Sequence, residues 1–275
     1  MDHSFRVELA ADARGRAATP LDVFVCYSRP DHGFADQLSD ALALYGFNTI
    51  LDRHGFTEGV DWNSRLGLLI QGADSFIHVL SPDSVKSDIC NWELEEAVRL
   101  GKRIIPVLCR ALDEAQPPSM LAALNYIYFY EEPRHPGSGF GSGLRDLVKA
   151  LETDSSWLRE HTRFLHRAIE WESAGKTEDR LLSGPDLDRA LAWLSRRPRS
   201  APKPTLLHLD FISCSDQRRV SLSLEEQRRL SEVQLLKRRL EAKTDKTGTH
   251  VFISYRRVDA KVYAGRICDW LSSRP

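Results

Sequence analysis

Apolar and polar positions alternate in blocks along the first 150 residues, and the blocks predict strands followed by helices. Residues 22–31 begin with the apolar run DVFVCY and end in a polar, charged bend. Apolar residues then recur at three- and four-residue spacing from Phe34 to Tyr45, which is the period of a helix with one buried face. A short apolar run before such a helix is typical of a buried parallel strand. Ligands bind at the carboxyl ends of these strands in open α/β sheets.

The same alternation continues and predicts four further strands and four further helices. The strands are expected over 47–51, 76–80, 103–108 and 126–130, and the helices over 62–70, 83–100, 121–124 and 144–151. Pro106 cannot donate to a β-ladder, so we expect a bulge or a sheet edge there. Strands that alternate with helices predict a parallel sheet covered on both faces.

Beyond residue 154 the strand pattern stops and helices predominate. Apolar spacing predicts one helix around Trp157–Trp171 and another around Leu187–Leu194, and we expect them to pack together and against the preceding domain. Residues 197–204 are rich in proline and predict a stiff spacer. The capping box SLEE at 223–226 predicts the start of a long charged helix. Its apolar stripe suits either a partner helix or this chain's own core.

The first strand and its bend have a second copy near the end of the chain. Residues 250–259, HVFISYRRVD, match residues 22–31 at the valine, phenylalanine, tyrosine, arginine and aspartate positions. One strand and one helix cannot bury a core, so we expect a fragment of a longer protein. The predicted organisation is a disordered leader (1–20), an α/β domain (21–153), a helical extension (154–200), a linker with a long charged helix (201–248) and a truncated second domain (249–275).

Composition places the chain among ordinary globular proteins, with 42% hydrophobic and 28% charged residues. No run approaches the roughly 18 apolar residues of a membrane span, and residues 1–20 lack the apolar core of a secretory signal. The five cysteines form an odd count and no CxxC pair. That pattern favours reduced thiols in the cytoplasm over a disulfide framework or a zinc site.

The charge is unevenly distributed, although the net charge is only −1. Residues 196–246 carry 13 lysines and arginines against 7 aspartates and glutamates. Such a basic connector either contacts nucleic acid or acidic lipid or is simply a solvated linker. Aromatic residues do not alternate with these charges as a base-stacking surface would need, so nucleic acid is not an expected partner.

Two familiar site types are disfavoured. The glycines of 137–143 lack the GxGxxG spacing of a dinucleotide-binding turn. A phosphoacceptor receiver domain would need an acidic pair after the first strand to bind Mg²⁺, and none follows it.

Three motifs, taken together in their order and spacing, resemble the Toll/interleukin-1 receptor (TIR) domain family. They are DVFVCYS at 22–28, the loop 52–59 with Trp62 after it, and SPDSVKSDICNWEL at 81–94 leading to GKRIIPV at 101–107. The resemblance covers about residues 20–153 and, weakly, 249–275. It implies a flavodoxin-like five-stranded parallel sheet with helices on both faces. The all-helical connector that follows resembles the extension found in multidomain bacterial members.

The resemblance implies one of two functions. Some TIR domains hydrolyse NAD⁺ at the nicotinamide–ribose bond after self-assembly, often in bacterial defence or signalling, and NAD⁺ is then the substrate with no further cofactor and no metal. Others are non-catalytic and act only by binding further TIR domains. In hydrolytic members the catalytic carboxylate lies in the pattern Ser-x-x-Cys-x-x-Glu, which is Ser87, Cys90 and Glu93 here.

The chemistry of this bond makes a single carboxylate sufficient. Nicotinamide is cationic in NAD⁺ and leaves as a neutral molecule, so it needs no general acid, unlike the oxygen of an ordinary glycoside. A carboxylate beside the ribose can stabilise the oxocarbenium-like charge and orient water. Glu93 is expected to take this role, whereas without the motif it would read as a solvated helix residue like Glu95 and Glu96.

Loops at the same sheet edge supply the other candidates. Tyr27, Ser28 and Arg29 are expected to bind the dinucleotide, and the Arg29 guanidinium suits a phosphate or ribose hydroxyl. The alternative is that Arg29 is a surface residue without a binding role. Ser81 and Ser87, with Cys90, line the pocket or merely cap helices.

The second strand leads into a further candidate region. The loop from Asp52 to Gly59 is expected to gate the cleft or contact a neighbouring subunit. Trp62 either stacks on a ring of the substrate or packs at a helix start.

Two positions depart from the hydrolytic pattern. Many hydrolytic relatives carry tryptophan four residues before the glutamate, where this chain has Ile89, and Trp92 faces another side of the helix. Many also carry paired arginines after the first-strand tyrosine. The first domain has Ser28–Arg29 there, whereas the second copy has Arg256–Arg257. Both departures weigh against the first domain as the better catalyst. They allow that the remainder of the second copy is the active one, with the first domain as a regulator or an assembly surface.

Overall fold

The computed structural model describes residues 20–52 and 62–244, together with residues 266–267 and 269–270. The chain divides into two compact units, of which the first ends at Arg219 and the second begins at Val220. All contacts described below lie in the first unit. The predicted leader falls outside the described residues except for its last position, and the predicted second copy does so except for four helical residues.

A five-stranded parallel sheet forms the centre of the first unit, as predicted. Its strand order is β2-β1-β3-β4-β5, and every adjacent pair is parallel. This order reverses direction between β1 and β3, which is the switch point of a flavodoxin-like sheet. The strands are β1 (Asp22–Cys26), β2 (Asn48–Leu51), β3 (Ser75–Leu80), β4 (Arg103–Leu108) and β5 (Ile127–Tyr128).

Helices cover both faces of the sheet. They are α1 (His32–Leu44), α2 (Trp62–Gly72), α3 (Pro82–Val85), α4 (Asp88–Arg99) and α5 (Phe140–Glu152). Helices α2 and α4 pack on one face together with Phe24 and Phe76, and helices α1 and α5 pack on the other face together with Val25 and Ile77. Successive strand residues point to opposite faces, so the central strands β1 and β3 contribute to both cores.

The prediction of a single helix over 83–100 is wrong, because the structure has two helices there, α3 and α4. Ser81 caps α3 by accepting hydrogen bonds from the backbone N–H groups of Asp83 and Ser84. Ser87 caps α4 by accepting from the N–H of Cys90. Each cap satisfies N–H groups that a helix leaves free at its start, so two caps six residues apart define two helices.

The end of α4 and the course of β4 agree more closely with the predictions made from the sequence. Gly101 has a φ of +64°, the left-handed conformation that commonly ends a helix. Pro106 pairs with His78 of β3 and precedes Val107, the first residue of β4 that pairs with β5. The missing N–H of Pro106 therefore falls where β4 has one paired neighbour, although β4 is not an edge strand.

Three further helices follow the sheet. They are α6 (Ser155–Ser173), α7 (Gly184–Ser195) and α8 (Leu206–Thr244). Trp171, Leu187 and Phe211, one from each helix, belong to one buried cluster. Leu165 of α6 belongs instead to the core beneath α2 and α4. The helical extension thus packs both within itself and against the sheet domain, as predicted. No described helix has the length and apolar character to cross a bilayer.

Helix α8 begins 17 residues before the capping box that was predicted to open it. Thr205 accepts a hydrogen bond from the N–H of His208 at 3.3 Å, and the His208 Nδ1 accepts from the N–H of Thr205 at 3.2 Å. This reciprocal pair caps the helix. The prediction missed this start because it relied on the serine–glutamate pattern, and residues 223–226 lie inside the helix.

Buried basic residues lie where the helical extension meets the sheet domain. The Lys102 ammonium donates to the carbonyl oxygens of Gln71 and Ala73, both at 2.7 Å. The His208 Nε2 lies 2.9 Å from the carbonyl oxygen of His161. Burial, with a smaller effect from nearby Lys102, lowers the pKa of His161 to about 2 and that of His208 to about 4. Both imidazoles are neutral in the folded protein at neutral pH.

These lowered pKa values predict a loss of stability on mild acidification. An unfolded histidine titrates near 6.5, so below that pH the unfolded chain binds more protons than the folded one. The free energy of unfolding should therefore fall from about pH 6.5 towards pH 4, by up to roughly 1.4 kcal/mol per pH unit for each histidine. Urea unfolding at pH 7 and pH 5 measures this fall.

The control is His166→Gln, which removes an exposed histidine of the same helix and should change the pH dependence less than the removal of buried His161 does. His161→Phe should flatten the dependence, because the buried ring is replaced by one that does not titrate. If the free energy of unfolding of His161→Phe fell with pH as steeply as that of the wild type, the fall could not be assigned to His161.

Candidate active site

Asp31 binds together the carboxyl ends of three strands. It lies in the short 3₁₀ turn Arg29–Asp31 after β1 and is 6% exposed. Its carboxylate accepts hydrogen bonds from the hydroxyls of Ser28, which follows β1, and Ser81, which follows β3. The Arg110 guanidinium, which follows β4, donates to Asp31 Oδ1 at 2.8 Å. One buried carboxylate therefore holds the edge where the ligand of an α/β sheet normally binds.

Charge and hydrogen bonding around Asp31 extend to two neighbouring groups. Arg110 also pairs with Asp83 of α3, so the guanidinium bridges two carboxylates. Cys109 lies against the carbonyl oxygen of Leu80, with its sulfur at 3.3 Å. Burial and the nearby Asp31 charge raise the pKa of the Cys109 thiol to about 11, so it is protonated and unreactive at neutral pH.

Glu93 lies inside the protein and not on its surface. Buried positions of α4 fall at Cys90, Glu93, Leu94 and Ala97, a helical stripe that faces the sheet. The Glu93 side chain is on this stripe and the residue is 4% exposed. By contrast, Glu95 is exposed on the same helix.

Two thiols surround the Glu93 carboxyl group. Cys26 of β1 and Cys90 of α4 place their sulfur atoms, together with a Glu93 carboxylate oxygen, within 4.8 Å of one another. Burial raises the pKa of Glu93 to about 8, against a lowering by the hydrogen bond from the Cys26 thiol. A carboxyl group with so displaced a pKa, near the end of β1, is a typical mark of a functional site.

Three other predicted site residues, Tyr27, Asp52 and Arg29, lie just after β1 and β2. The Tyr27 hydroxyl donates to the carbonyl oxygen of Asp52 at 3.1 Å, which joins the ends of β1 and β2. The negative charge of Asp52 contributes to the raised pKa of Glu93, so the two carboxyl groups are near each other. Arg29 is exposed at the same edge.

The hydroxyls of three predicted site residues are engaged within the protein. Ser28 donates to Asp31, Ser81 donates to Asp31 while it caps α3, and Ser87 caps α4. The capping alternative therefore describes Ser81 and Ser87 in this structure. Their contact with a dinucleotide stays a prediction.

The structure does not test the predicted roles of Gly59 and Trp62. Gly59 lies outside the described residues, and Trp62 is the first residue of α2, with a side chain outside the described set. Trp92 is half-buried on α4 and packs against α2, where a Cβ atom on Gly67 would lie 3.9 Å from the indole ring.

Sequence reasoning missed Asp31 and Arg110 as organising residues of the site. Asp31 was noted only as the end of a polar bend, three residues after Ser28. An aspartate buried within a bend that follows an apolar strand is a usable signal, because a buried carboxylate needs several donors. Arg110 is 79 residues away in sequence, and only the pairing of β3 with β4 brings it to Asp31.

Replacing Asp31 should destabilise the domain strongly. Asp31→Ala leaves the buried Ser28 and Ser81 hydroxyls without their acceptor and removes a buried charge from Arg110, which should cost about 3 kcal/mol. Urea denaturation of the full chain measures the cost.

The matched control is Asp83→Ala, which removes the other carboxylate bound by Arg110. Asp83 is 46% exposed, so its loss should cost less than about 1 kcal/mol. Equal effects of the two substitutions would contradict the central place given to Asp31.

Residues 23–143 match the family model described as TIR domain. No curated protein is significantly similar to the chain in sequence.

Three solved structures show the range of the structural similarity. The TIR domain of the Toll-related receptor TRR-2 from Hydra magnipapillata is 25% identical, with a TM-score of 0.38, and the match covers 46% of this chain and 97% of that one. A metazoan TIR-STING receptor from C. gigas, in complex with 2′,3′-cGAMP, is 21% identical, with a TM-score of 0.37 and coverages of 48% and 39%. The TIR domains of the activated Roq1 resistosome, which recognises the pathogen effector XopQ, are 19% identical, with a TM-score of 0.31 and coverages of 53% and 81%.

All three TM-scores are below 0.5, so these superpositions add no argument about function. The family match and the strand order of the sheet lead to one conclusion: residues 23–143 are a TIR domain.

Proposed function

We propose that this TIR domain is an NAD⁺ glycohydrolase that cleaves the nicotinamide–ribose bond and is activated by self-assembly, in bacterial defence or signalling. The observation that carries the proposal is the position of Glu93. It occupies the glutamate of the Ser-x-x-Cys-x-x-Glu pattern, is 4% exposed and has a pKa raised to about 8 by burial.

The proposed role of Glu93 is electrostatic. As the bond to nicotinamide breaks, positive charge develops on the ribose, and a carboxylate in a site of low dielectric stabilises that charge more strongly than water does. In the free protein, burial favours the neutral carboxyl group. The positive charge of a bound nicotinamide ring would lower the pKa of Glu93 and so favour the carboxylate before the bond breaks.

The other proposed contacts bind the remainder of the dinucleotide. Arg29 is exposed beside the Asp31 network, and its guanidinium can form paired hydrogen bonds to a phosphate. Asp31 and Arg110 do not need to touch the substrate. Their role in the proposal is to hold the ends of three strands so that Arg29 and Tyr27 keep fixed positions.

The burial of Glu93 supports the proposal of activation by assembly. In the single chain, a substrate the size of NAD⁺ cannot reach a carboxyl group that is 4% exposed without a rearrangement. The proposal is that a neighbouring copy, through the loop 52–59, stabilises the open arrangement. Such coupling requires that the neighbour bind the open state more tightly than the closed one.

The cysteines support a cytoplasmic site of action. Cys26, Cys90, Cys109 and Cys214 are all free thiols in the described part of the chain. Free thiols are expected in a reducing compartment.

A non-catalytic scaffold is the second candidate function. The observation that favours it is the contact between Glu93 and the Cys26 thiol, because a buried carboxyl group with hydrogen-bonding neighbours can serve packing alone. Ile89, where many hydrolytic relatives carry tryptophan, points the same way. In that case the domain would act by binding other TIR domains.

Replacing Glu93 by glutamine should abolish NAD⁺ cleavage. Glutamine keeps the size and can still accept from Cys26, but it carries no negative charge to stabilise the ribosyl cation. We expect the release of nicotinamide from NAD⁺ by concentrated full-length chain to fall by about a hundredfold or more. Chromatographic measurement of free nicotinamide gives the rate.

Glu95→Gln is the matched control, because Glu95 lies on the same helix with an exposed side chain, and it should retain the wild-type rate. Equal rates in Glu93→Gln and the wild type would refute the catalytic assignment. The scaffold function would be established instead by two results together. Neither the wild type nor Glu93→Gln would release nicotinamide, and self-association would survive Glu93→Gln but be lost when the loop 52–59 is altered.

A further inference from the structure

Three side chains of the types that can bind a metal converge in the core between β1 and α4. The sulfur atoms of Cys26 and Cys90 and a carboxylate oxygen of Glu93 all lie within 4.8 Å of one another. Their residues are 1%, 1% and 4% exposed, respectively. Cys26 and Cys90 are 64 residues apart, so the absence of a CxxC pair in the sequence says nothing about this cluster.

A fourth possible donor lies beside Cys26. In the sheet register, Cys26 of β1 is paired with His78 of β3. The His78 ring stacks on Phe76, a member of the same core cluster as Cys26, so His78 points to the same face of the sheet. Among the described residues, neither ring nitrogen of His78 has a hydrogen-bond partner, although the residue is fully buried.

We propose that Cys26, Cys90 and Glu93 bind a zinc ion. Two sulfur ligands and one carboxylate form a donor set that Zn²⁺ accepts. The fourth ligand would be water, or His78 after its ring moves closer, since no ring nitrogen of His78 lies within 4.8 Å of all three donors.

The required movement is small. Zinc–sulfur bonds of about 2.3 Å place two ligand sulfurs about 3.8 Å apart in a tetrahedral site. The present separation is at most 4.8 Å, so the two sulfur atoms need to approach each other by about 1 Å at most.

Zinc binding exchanges protons for the metal ion at this place. On binding, the protons of the two thiols and of Glu93, where it is protonated, are released to solvent as Zn²⁺ enters. Two thiolates and one carboxylate around Zn²⁺ carry a net charge of −1.

The ion would compete with the hydrolysis described above, a consequence that rests on the proposed function. Glu93 cannot coordinate zinc and stabilise a ribosyl cation at the same time. Metal binding itself is independent of any reaction with NAD⁺, so it can be tested without substrate.

Cobalt(II) is the direct probe, because it replaces zinc and its thiolate complexes absorb in the near ultraviolet and visible. The reduced, metal-free full chain should develop these bands with one equivalent of Co²⁺, and one equivalent of Zn²⁺ should abolish them. Cys90→Ser should weaken binding by about a hundredfold or more, since even the loss of an outer-shell partner can cost as much. Glu93→Gln should weaken binding but keep the thiolate bands.

Cys109→Ser and Cys214→Ser are the controls, because both residues are thiols outside the cluster, and they should keep wild-type binding. Zinc should also raise the thermal midpoint of the wild type and of both controls, but not that of Cys90→Ser. Absence of thiolate bands in the wild type, or equal bands and affinity in Cys90→Ser, would overturn the proposal. Nicotinamide release plays no part in this test, so its failure and that of the proposed function can be told apart.

Discussion

The architecture of the candidate site depends on one buried carboxylate. Asp31 accepts hydrogen bonds from groups that follow β1, β3 and β4, and it does so at 6% exposure. A charge this deeply buried is tolerable only because several donors surround it, among them the Arg110 guanidinium. The same bonds fix Ser81 as the cap of α3, and α3 leads into α4 through a second cap at Ser87. Hydrogen bonds and helix caps therefore lead from Asp31 to the start of α4, the helix that carries Glu93.

The surroundings of Glu93 are unusual for a helix glutamate. Its raised pKa comes from burial between two thiols, and the nearby negative charge of Asp52 adds to it. Such an environment disfavours the charged form until a cation arrives. The cation of the proposed reaction is the substrate itself, whereas the cation of the proposed metal site is Zn²⁺. Both proposals draw on the same property, a carboxyl group and two thiols that gain stability when positive charge enters the pocket.

The sequence predicts local structure well and long-range contacts poorly. Apolar runs and helical spacing were sufficient for the five strands, since β1 and β3 are buried on both faces and read as continuous apolar segments. The division into α3 and α4 was missed because a helical apolar stripe continues across the break, and only the caps at Ser81 and Ser87 reveal it. The start of α8 was missed because His208, not a glutamate, completes the cap at Thr205. The proximity of Cys26 to Cys90, and of Asp31 to Arg110, arises from strand order and helix packing, which spacing along the chain does not encode. Glu93 was found by a family motif, while its burial is visible only in three dimensions.

The central claim is that Glu93 belongs to a site that a neighbouring copy opens. The most direct test is the specific rate of nicotinamide release, followed over a wide range of chain concentration at saturating NAD⁺. The account predicts a specific rate that rises with concentration and reaches a plateau when the chain is fully assembled, as judged by light scattering on the same samples. A specific rate that is independent of concentration would contradict opening by a neighbour, and no release at any concentration, in a chain shown to be assembled, would contradict catalysis by this domain.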